Sequence, residues 1–107
     1  MSIVAPTVAT WTWPPDVKEL AAELGVTAYL QPVYEMTRRV YAGSRIIVSI
    51  DVDPEVEGDR HILFEADVTG WNVQQMVEAQ NRWASGIFDC CPATQAWVFR
   101  VGMIDAP

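Results

Sequence analysis

Two stretches of alternating sequence decide the fold, IIVSIDV at residues 46–52 and HILFEADV at residues 61–68. In each, apolar residues occupy every second position, and this period of two is typical of a half-buried β-strand. Residues 54–60 between them are rich in proline, glycine and acids and predict a loop. The two stretches therefore form the first two strands of a sheet, joined as a hairpin.

Helical patterns lie on both sides of this hairpin. Residues 16–24 predict a first short helix that ends at Gly25. A second helix begins at Pro32, or earlier at Thr27, and ends at Gly43.

The third helix has the clearest start. Asn72 caps it, Gln75 completes a capping box, and Trp71 and Met76 occupy the positions of a hydrophobic staple. Pro92 marks its end. The pattern predicts one apolar face that extends over four turns of this helix. It consists of Val73, Met76, Val77, Trp83, Ala84, Ile87 and Phe88.

A last strand at residues 96–104 completes the order ααββαβ. The first strand is the most apolar, so we expect it in the middle of a three-stranded sheet of order 2-1-3, with every neighbouring pair antiparallel. Three helices on one face then make a two-layer α+β fold. Residues 16–107 are predicted to form one domain, and residues 1–15 an N-terminal extended arm or edge strand.

Aligning the apolar faces of the first two strands pairs Val52 with Ile62, which places Asp53 opposite His61 on the other face. We interpret this Asp–His contact as a surface ion pair. Ser49 does not complete a catalytic triad with it, because it lies in mid-strand with no glycine elbow to expose its hydroxyl.

The usual metal and nucleophile patterns are missing. Acids recur through residues 51–59 as in a calcium loop, but a glycine stands at the eighth position instead of the sixth, and Ile62 replaces the bidentate acid. Cys90 and Cys91 are adjacent, lack zinc-ligand spacing, and end a helix, where the dipole raises a thiol pKa. We expect buried thiols, no metal, no cofactor and no catalytic residues, so an enzyme is the less favoured class.

The charge and the apolar runs exclude further classes. Seven basic and fourteen acidic residues give a net charge of −7, which disfavours nucleic acid as a partner. No apolar run is long enough to span a membrane, and residues 1–15 contain no basic residue and do not resemble a secretory signal. We therefore expect a cytoplasmic location, which reduced, adjacent cysteines also fit.

The chain contains five tryptophans. We expect Trp83 and Trp97 in the core and Trp71 in the staple. Trp11 and Trp13 are the interface candidates, because tryptophan is favoured at association surfaces.

Arg100 lies in mid-strand on the sheet face predicted to point away from the helices, close to an acidic row formed by Asp51, Glu65 and Asp67. We expect it to neutralise that row, with ligand anchoring as the alternative. The same face carries Ile47, Leu63, Val98 and Ile104, which predicts that something covers it. The cover is the N-terminal arm, a second copy of the chain or a foreign partner.

Several short motifs carry a resemblance: DPE at 53–55, RHILFE at 60–65, NRW at 81–83, CP at 91–92 and VFRVG at 98–102. Together they resemble a group of small bacterial proteins of unassigned function, over residues 16–103. Proteins of this size and character are often carried on mobile elements such as integron cassettes. The resemblance implies no reaction, ligand or catalytic residue.

The leading hypothesis is a non-enzymatic, self-associating interaction module, a homodimer or higher homo-oligomer formed through the outer sheet face or the arm, that binds a basic protein partner as an antitoxin or immunity protein does. The alternative is a small-molecule binding protein or minor enzyme with a pocket near the sheet and second helix. The candidate binding residues are Trp11, Trp13, Tyr34, Arg38, Ser49, Asp51, Glu65, Trp97 and Arg100.

Overall fold

The helices and strands follow the predicted order, with two short helical additions. The computed structural model describes residues 12–105. Its elements are α1 (Pro15–Glu23), a 3-10 turn (Thr27–Tyr29), α2 (Leu30–Val40), β1 (Ile46–Val52), β2 (Arg60–Asp67), α3 (Val73–Cys90), α4 (Ala93–Ala96) and β3 (Phe99–Ile104). Trp11 and most of the predicted arm lie outside the described residues. None of the helices within 12–105 has the length and apolarity needed to cross a membrane.

The strands form a mixed sheet in the order β1-β2-β3, in which β1 is antiparallel and β3 parallel to β2. The α+β class is therefore confirmed, but the predicted order 2-1-3 and the all-antiparallel pairing are wrong. β2 is central and more buried than β1: Ile62 and Phe64 are inaccessible on the face toward the helices, and His61 on the opposite face is 4% exposed. β1 is more apolar in composition, yet it is an edge strand that exposes Ile47 and Val52.

The register of the hairpin differs from the prediction by two residues. Ile50, not Val52, lies opposite Ile62, and Asp51, not Asp53, lies opposite His61. A shift of two residues leaves every side chain on its predicted face.

The loop between the strands accounts for this shift. The Asp53 N–H donates to the carbonyl of Asp59 at 3.2 Å, and the Asp53 carboxylate accepts from the N–H of Glu55 at 2.9 Å. Asp53 therefore begins a compact loop with an Asx turn and is not a strand residue. The acidic segment forms a hairpin loop, as the sequence predicted.

The core lies between the helices and one face of the sheet. Its largest fully buried side chains come from α1, α2, the residues that flank these helices, and the inner positions of β2; they are Tyr41, Phe64, Ile62, Val17, Val26 and Val33. Trp13, just before α1, packs at the edge of this cluster. Helices on one side of the sheet bury these groups from water, which is the main source of stability in such a fold.

Of the two tryptophans predicted to lie in the core, only one does. Trp83 is buried, as expected, whereas Trp97 is 55% exposed, so its placement in the core is wrong. Trp97 directly follows α4, and its own backbone is helical. It lies two residues before β3 begins at Phe99. It therefore does not take part in the in-and-out alternation from which its burial was predicted. Trp71 is half-buried and stacks on the ring of Tyr41 at 5.8 Å.

The predicted start of α3 is confirmed, but its predicted apolar face is not a single buried surface. The Asn72 side chain accepts from the N–H of Gln75 at 2.8 Å, and the Gln75 side chain accepts from the N–H of Asn72 at 2.9 Å. Farther along, Trp83 and Ile87 are buried, whereas Phe88 is exposed. The other exposed members of that face are Val73, Val77 and Ala84.

Candidate functional site

The sheet face opposite the helices is called the outer face here. Its residues, set by the strand alternation and register, are Ile47, Ser49, Asp51, His61, Leu63, Glu65, Asp67, Arg100, Gly102 and Ile104. Three of them, Ile47, Leu63 and Ile104, are apolar but do not belong to the hydrophobic core. The outer face is therefore a mixed surface with apolar and acidic groups side by side.

A buried histidine lies beside an exposed tryptophan at one end of this face. The rings of His61 and Trp97 meet edge to face, with centroids 5.8 Å apart and an interplanar angle of 86°. The Nε2 atom of His61 lies 3.4 Å from a carboxylate oxygen of Asp59, and within the described residues its Nδ1 atom has no hydrogen-bond partner. Trp97 is thus supported on one side by a packed imidazole ring.

Sequence reasoning missed this grouping. It placed Asp53 opposite His61, whereas Asp59 is the carboxylate that approaches the imidazole. Asp59 and His61 are two positions apart, and in an extended segment that spacing places two side chains on the same side. The spacing is the signal that would have identified the pair.

Arg100 reaches across the central strand to Asp51 on β1. The guanidinium Nη1 lies 3.4 Å from the Asp51 carboxylate, and both side chains are about half exposed to solvent. An exposed pair of this kind adds little to stability. The contact agrees with the predicted role of Arg100 in neutralising the acidic row.

The other carboxylates of the row belong to β2. Asp67 accepts hydrogen bonds from the Thr69 hydroxyl at 2.6 Å and from the Thr69 N–H at 3.0 Å. These bonds, with a smaller contribution from Arg45, hold the pKa of Asp67 below its ordinary value. Asp67 and the half-buried Glu65 contribute two formal negative charges to this part of the outer face.

The remaining candidate binding residues of the described chain lie on the helical side. Trp13 packs edge-on against Tyr34, with centroids 5.6 Å apart, and against Phe64 at 6.2 Å. The Arg38 guanidinium lies 5.8 Å from the centroid of the Tyr34 ring. The structure therefore groups these residues with one another and separates them from Trp97 and the outer face.

Arginines gather around the C-terminal end of α2. A surface depression of about 620 Å³ is lined by Glu35, Arg38, Arg39, Ala42, Gly43 and Ser44. Two neighbouring depressions share part of this lining and add Arg82 and Arg45. Four of the seven basic residues of the chain thus lie on one side of the molecule.

The two cysteines are reduced and partly or fully buried. Burial is the main cause that raises the pKa of both thiols. The direction agrees with the sequence prediction, although that prediction attributed it to the helix dipole. The Cys90 thiol donates to the carbonyl of Pro32 and the Cys91 thiol to that of Ile87, both at 3.6 Å.

In the part of the chain from 12 to 105, no three histidine, cysteine, aspartate or glutamate side chains are grouped closely enough to hold a metal ion. No protein-family model, curated protein or solved structure matches the chain. We therefore infer the function from the geometry and charge of the surfaces described above.

Proposed function

We propose that the protein is a non-enzymatic binding module that takes a basic protein partner on its outer face. The observation that carries this proposal is the position of Trp97, which is 55% exposed and borders an acidic sheet face. A large aromatic group held against a packed neighbour is the typical anchor of a protein interface.

The charge of the surface defines the partner. Three acids of the outer face and four of the adjoining hairpin loop give this side of the sheet an excess of negative charge; they are Asp51, Asp53, Glu55, Glu57, Asp59, Glu65 and Asp67. Among the outer-face residues, Arg100 is the one basic side chain, and it already contacts Asp51. A partner with lysine or arginine around an apolar group complements this surface and is steered toward it.

The same charge disfavours a contact between two outer faces. Two copies meeting through this face would bring together two acidic regions, and juxtaposed like charges oppose association. The sequence left three alternatives for what covers the outer face: the N-terminal arm, a second copy of the chain or a foreign partner. We therefore favour a foreign basic protein, bound in the manner of an antitoxin or immunity protein.

Selection from a phage-displayed library of random peptides tests the proposal. We expect enriched peptides to be basic with at least one apolar side chain, and to bind more weakly as salt rises. Trp97→Ala should weaken them about tenfold or more. The matched control is Val73→Ala, an exposed apolar truncation on α3, which should leave binding unchanged.

Circular dichroism must show that Trp97→Ala is folded before its binding is interpreted. Acidic enriched peptides, or basic peptides whose binding is the same for Trp97→Ala and the control, would contradict the proposal. So would a selection that enriches no peptide binding to the wild-type chain.

A second candidate function is anion binding at the arginine-lined depressions. Arg38 and Arg39 both line the largest of the three, and guanidinium groups bind phosphate and carboxylate through paired hydrogen bonds. A thermal-shift screen with phosphate, citrate and nucleotides tests it, since an anion at 100 times its Kd adds about 2.7 kcal/mol of stability. The shift should vanish in Arg38→Ala/Arg39→Ala and persist in Lys18→Ala; no shift in the wild type would exclude this candidate.

A further inference from the structure

An apolar stripe runs along the exposed side of α3. It consists of Val73, Val77, Ala84 and Phe88, and the three larger residues are 74%, 48% and 60% exposed in that order. At about 100° of rotation per residue, the four fall within about 60° of one another around the helix axis. They extend over about 22 Å, from the first turn of the helix to the last, with two on either side of Gln80 and Asn81.

The stripe lies on the side of α3 turned away from α2. The contact between these helices uses other positions: Arg82 donates to the carbonyl of Val40 at 3.1 Å, and Cys90 donates to that of Pro32. A Cβ placed on Gly86 would lie 3.0 Å from the sulfur of Met36, which shows how closely the helices approach there. Together with Trp83, which also contacts α2, these positions of α3 lie about 110° to 170° around the helix axis from the centre of the stripe.

The spacing within the stripe is symmetric. Successive members are four, seven and four residues apart, so the pattern is the same when read from either end. If a second α3 packs antiparallel, with a two-fold axis between Gln80 and Asn81, each stripe residue faces a stripe residue of the other copy. Val73 then lies opposite Phe88, and Val77 opposite Ala84, which pairs a larger side chain with a smaller one in both cases.

From this symmetry we infer that the stripe is the contact surface for a second copy of the chain, in an antiparallel, two-fold symmetric dimer. An isologous interface requires a patch that complements itself under two-fold rotation, and the stripe has that property. At its centre, Gln80 lies opposite Asn81 of the other copy, and two amide groups can exchange hydrogen bonds.

The charge of the chain favours this surface for self-association. The stripe and the two amides at its centre carry no formal charge in a protein of net charge −7. Two copies can therefore approach along α3 without placing carboxylates in the contact, which is not possible through the outer face. The general repulsion between two negative molecules remains, so added salt should strengthen the dimer.

The expected dimer is weak. One pair of helices with four apolar side chains each buries less than the roughly 1,200–2,000 Å² of a standard stable interface. A Kd of about 10–100 µM is consistent with such a contact. The inference does not depend on the proposed partner binding, because it concerns another face and predicts the opposite response to salt.

Sedimentation equilibrium of the full chain, up to about 0.5 mM protein and in about 0.05 M and 0.5 M NaCl, measures the dimer directly. Val77→Glu should raise the dimer Kd about tenfold or more, because it places a charge in the apolar contact. Ser85→Glu adds the same charge on the exposed side of the same helix outside the stripe, and should change the Kd less than about threefold.

A charge swap tests the antiparallel arrangement. Val73→Glu and Phe88→Lys each place an acid or a base opposite an apolar residue and should weaken the dimer. The double variant places Glu opposite Lys in both contacts and should bind more tightly than either single variant. These charges also suit the ends of the helix dipole, so the helix itself should be preserved, as circular dichroism can verify.

Three results would overturn the inference. The first is a wild-type chain that stays monomeric at the highest protein and salt concentrations. The second is an equal effect of Val77→Glu and Ser85→Glu. The third is a double variant that dimerises more weakly than either single variant, which is what a parallel helix pair would give because it places like charges together.

Discussion

The indole N–H of Trp83 on α3 donates a hydrogen bond of 2.8 Å to the hydroxyl oxygen of Thr37 on α2. That hydroxyl donates in turn to the carbonyl of Val33 at 2.7 Å. Both side chains are buried, so the two helices are joined inside the core by a chain of satisfied polar groups. Such a network fixes one packing arrangement, because any other leaves a buried donor without an acceptor.

Thr37→Val removes the acceptor of Trp83 without a large change in volume. We expect it to lower the free energy of unfolding by about 1–3 kcal/mol, because the indole N–H becomes a buried unsatisfied donor. A double-mutant cycle with Trp83→Phe, measured by urea denaturation, should give a coupling energy of at least about 0.5 kcal/mol. Thr94→Val, at an exposed position of α4, is the control. If the effects of Thr37→Val and Trp83→Phe on the free energy of unfolding are additive, the hydrogen bond does not couple the helices.

Tyr41→Phe should stabilise the protein. The Tyr41 ring is fully buried against Trp71, and among the described residues its hydroxyl has no hydrogen-bond partner. Removing a buried, unpartnered hydroxyl removes a desolvation penalty, so we expect a gain of up to about 1 kcal/mol in the free energy of unfolding. A loss of more than about 1 kcal/mol in urea denaturation would show that the hydroxyl has a partner.

The same residue gives a pH dependence. Burial raises the pKa of Tyr41 above the ordinary value of 10.0, although the nearby Arg82 opposes the shift. The unfolded chain therefore loses this proton first, and the wild type should lose stability as the pH rises above about 10. The difference between Tyr41→Phe and the wild type should grow over that range.

Thr69→Ala should raise the pKa of Asp67 toward its ordinary value, because it removes the hydroxyl that donates at 2.6 Å. Since the folded pKa is lowered, the stabilisation is present above the unfolded value of 3.8 and is lost as the pH falls through the folded value. NMR titration of the Asp67 carboxyl measures the shift, with Thr94→Ala as the control. If the titration midpoint of Asp67 is unchanged in Thr69→Ala, the Thr69 hydroxyl is not what lowers its pKa.

Asn72→Ala should lower the free energy of unfolding by about 1 kcal/mol, because it leaves the first turn of α3 without its side-chain acceptor. Asn72→Gly should cost less, since glycine is tolerated at this position. Urea denaturation measures both. Gln74→Ala, in the same turn but outside the capping box, is the control, and an equal loss in Asn72→Ala and Gln74→Ala would contradict the assignment.

Features set by neighbouring residues could be predicted from the sequence. The capping box depends on Asn72 and Gln75, three positions apart, and the hairpin depends on two alternating stretches with a short loop between them. The strand order depends instead on which strand is most buried once residues distant in sequence have packed together. The composition of β2 conceals its central position, because it alternates apolar residues with His61, Glu65 and Asp67.

The candidate site was predictable only in part. Arg100 was placed correctly beside the acidic row, because strand alternation decides its face. Trp97 was placed in the core because the strand was predicted to begin too early, at residue 96 instead of 99. The division of the α3 face could not be predicted from the helical period alone, since that period shows which residues share a side but not how much of the side the core covers.

The parallel pairing of β2 with β3 has a consequence for refolding. The β1–β2 hairpin forms from neighbouring residues, whereas β3 is separated from β2 by the whole of α3 and α4, so we expect its closure to be the slower step. Until then β2 presents a bare hydrogen-bonding edge with Ile62 and Phe64 beside it. During that interval another unfolded chain can add its own strand there, so dilution should protect the refolding protein from aggregation.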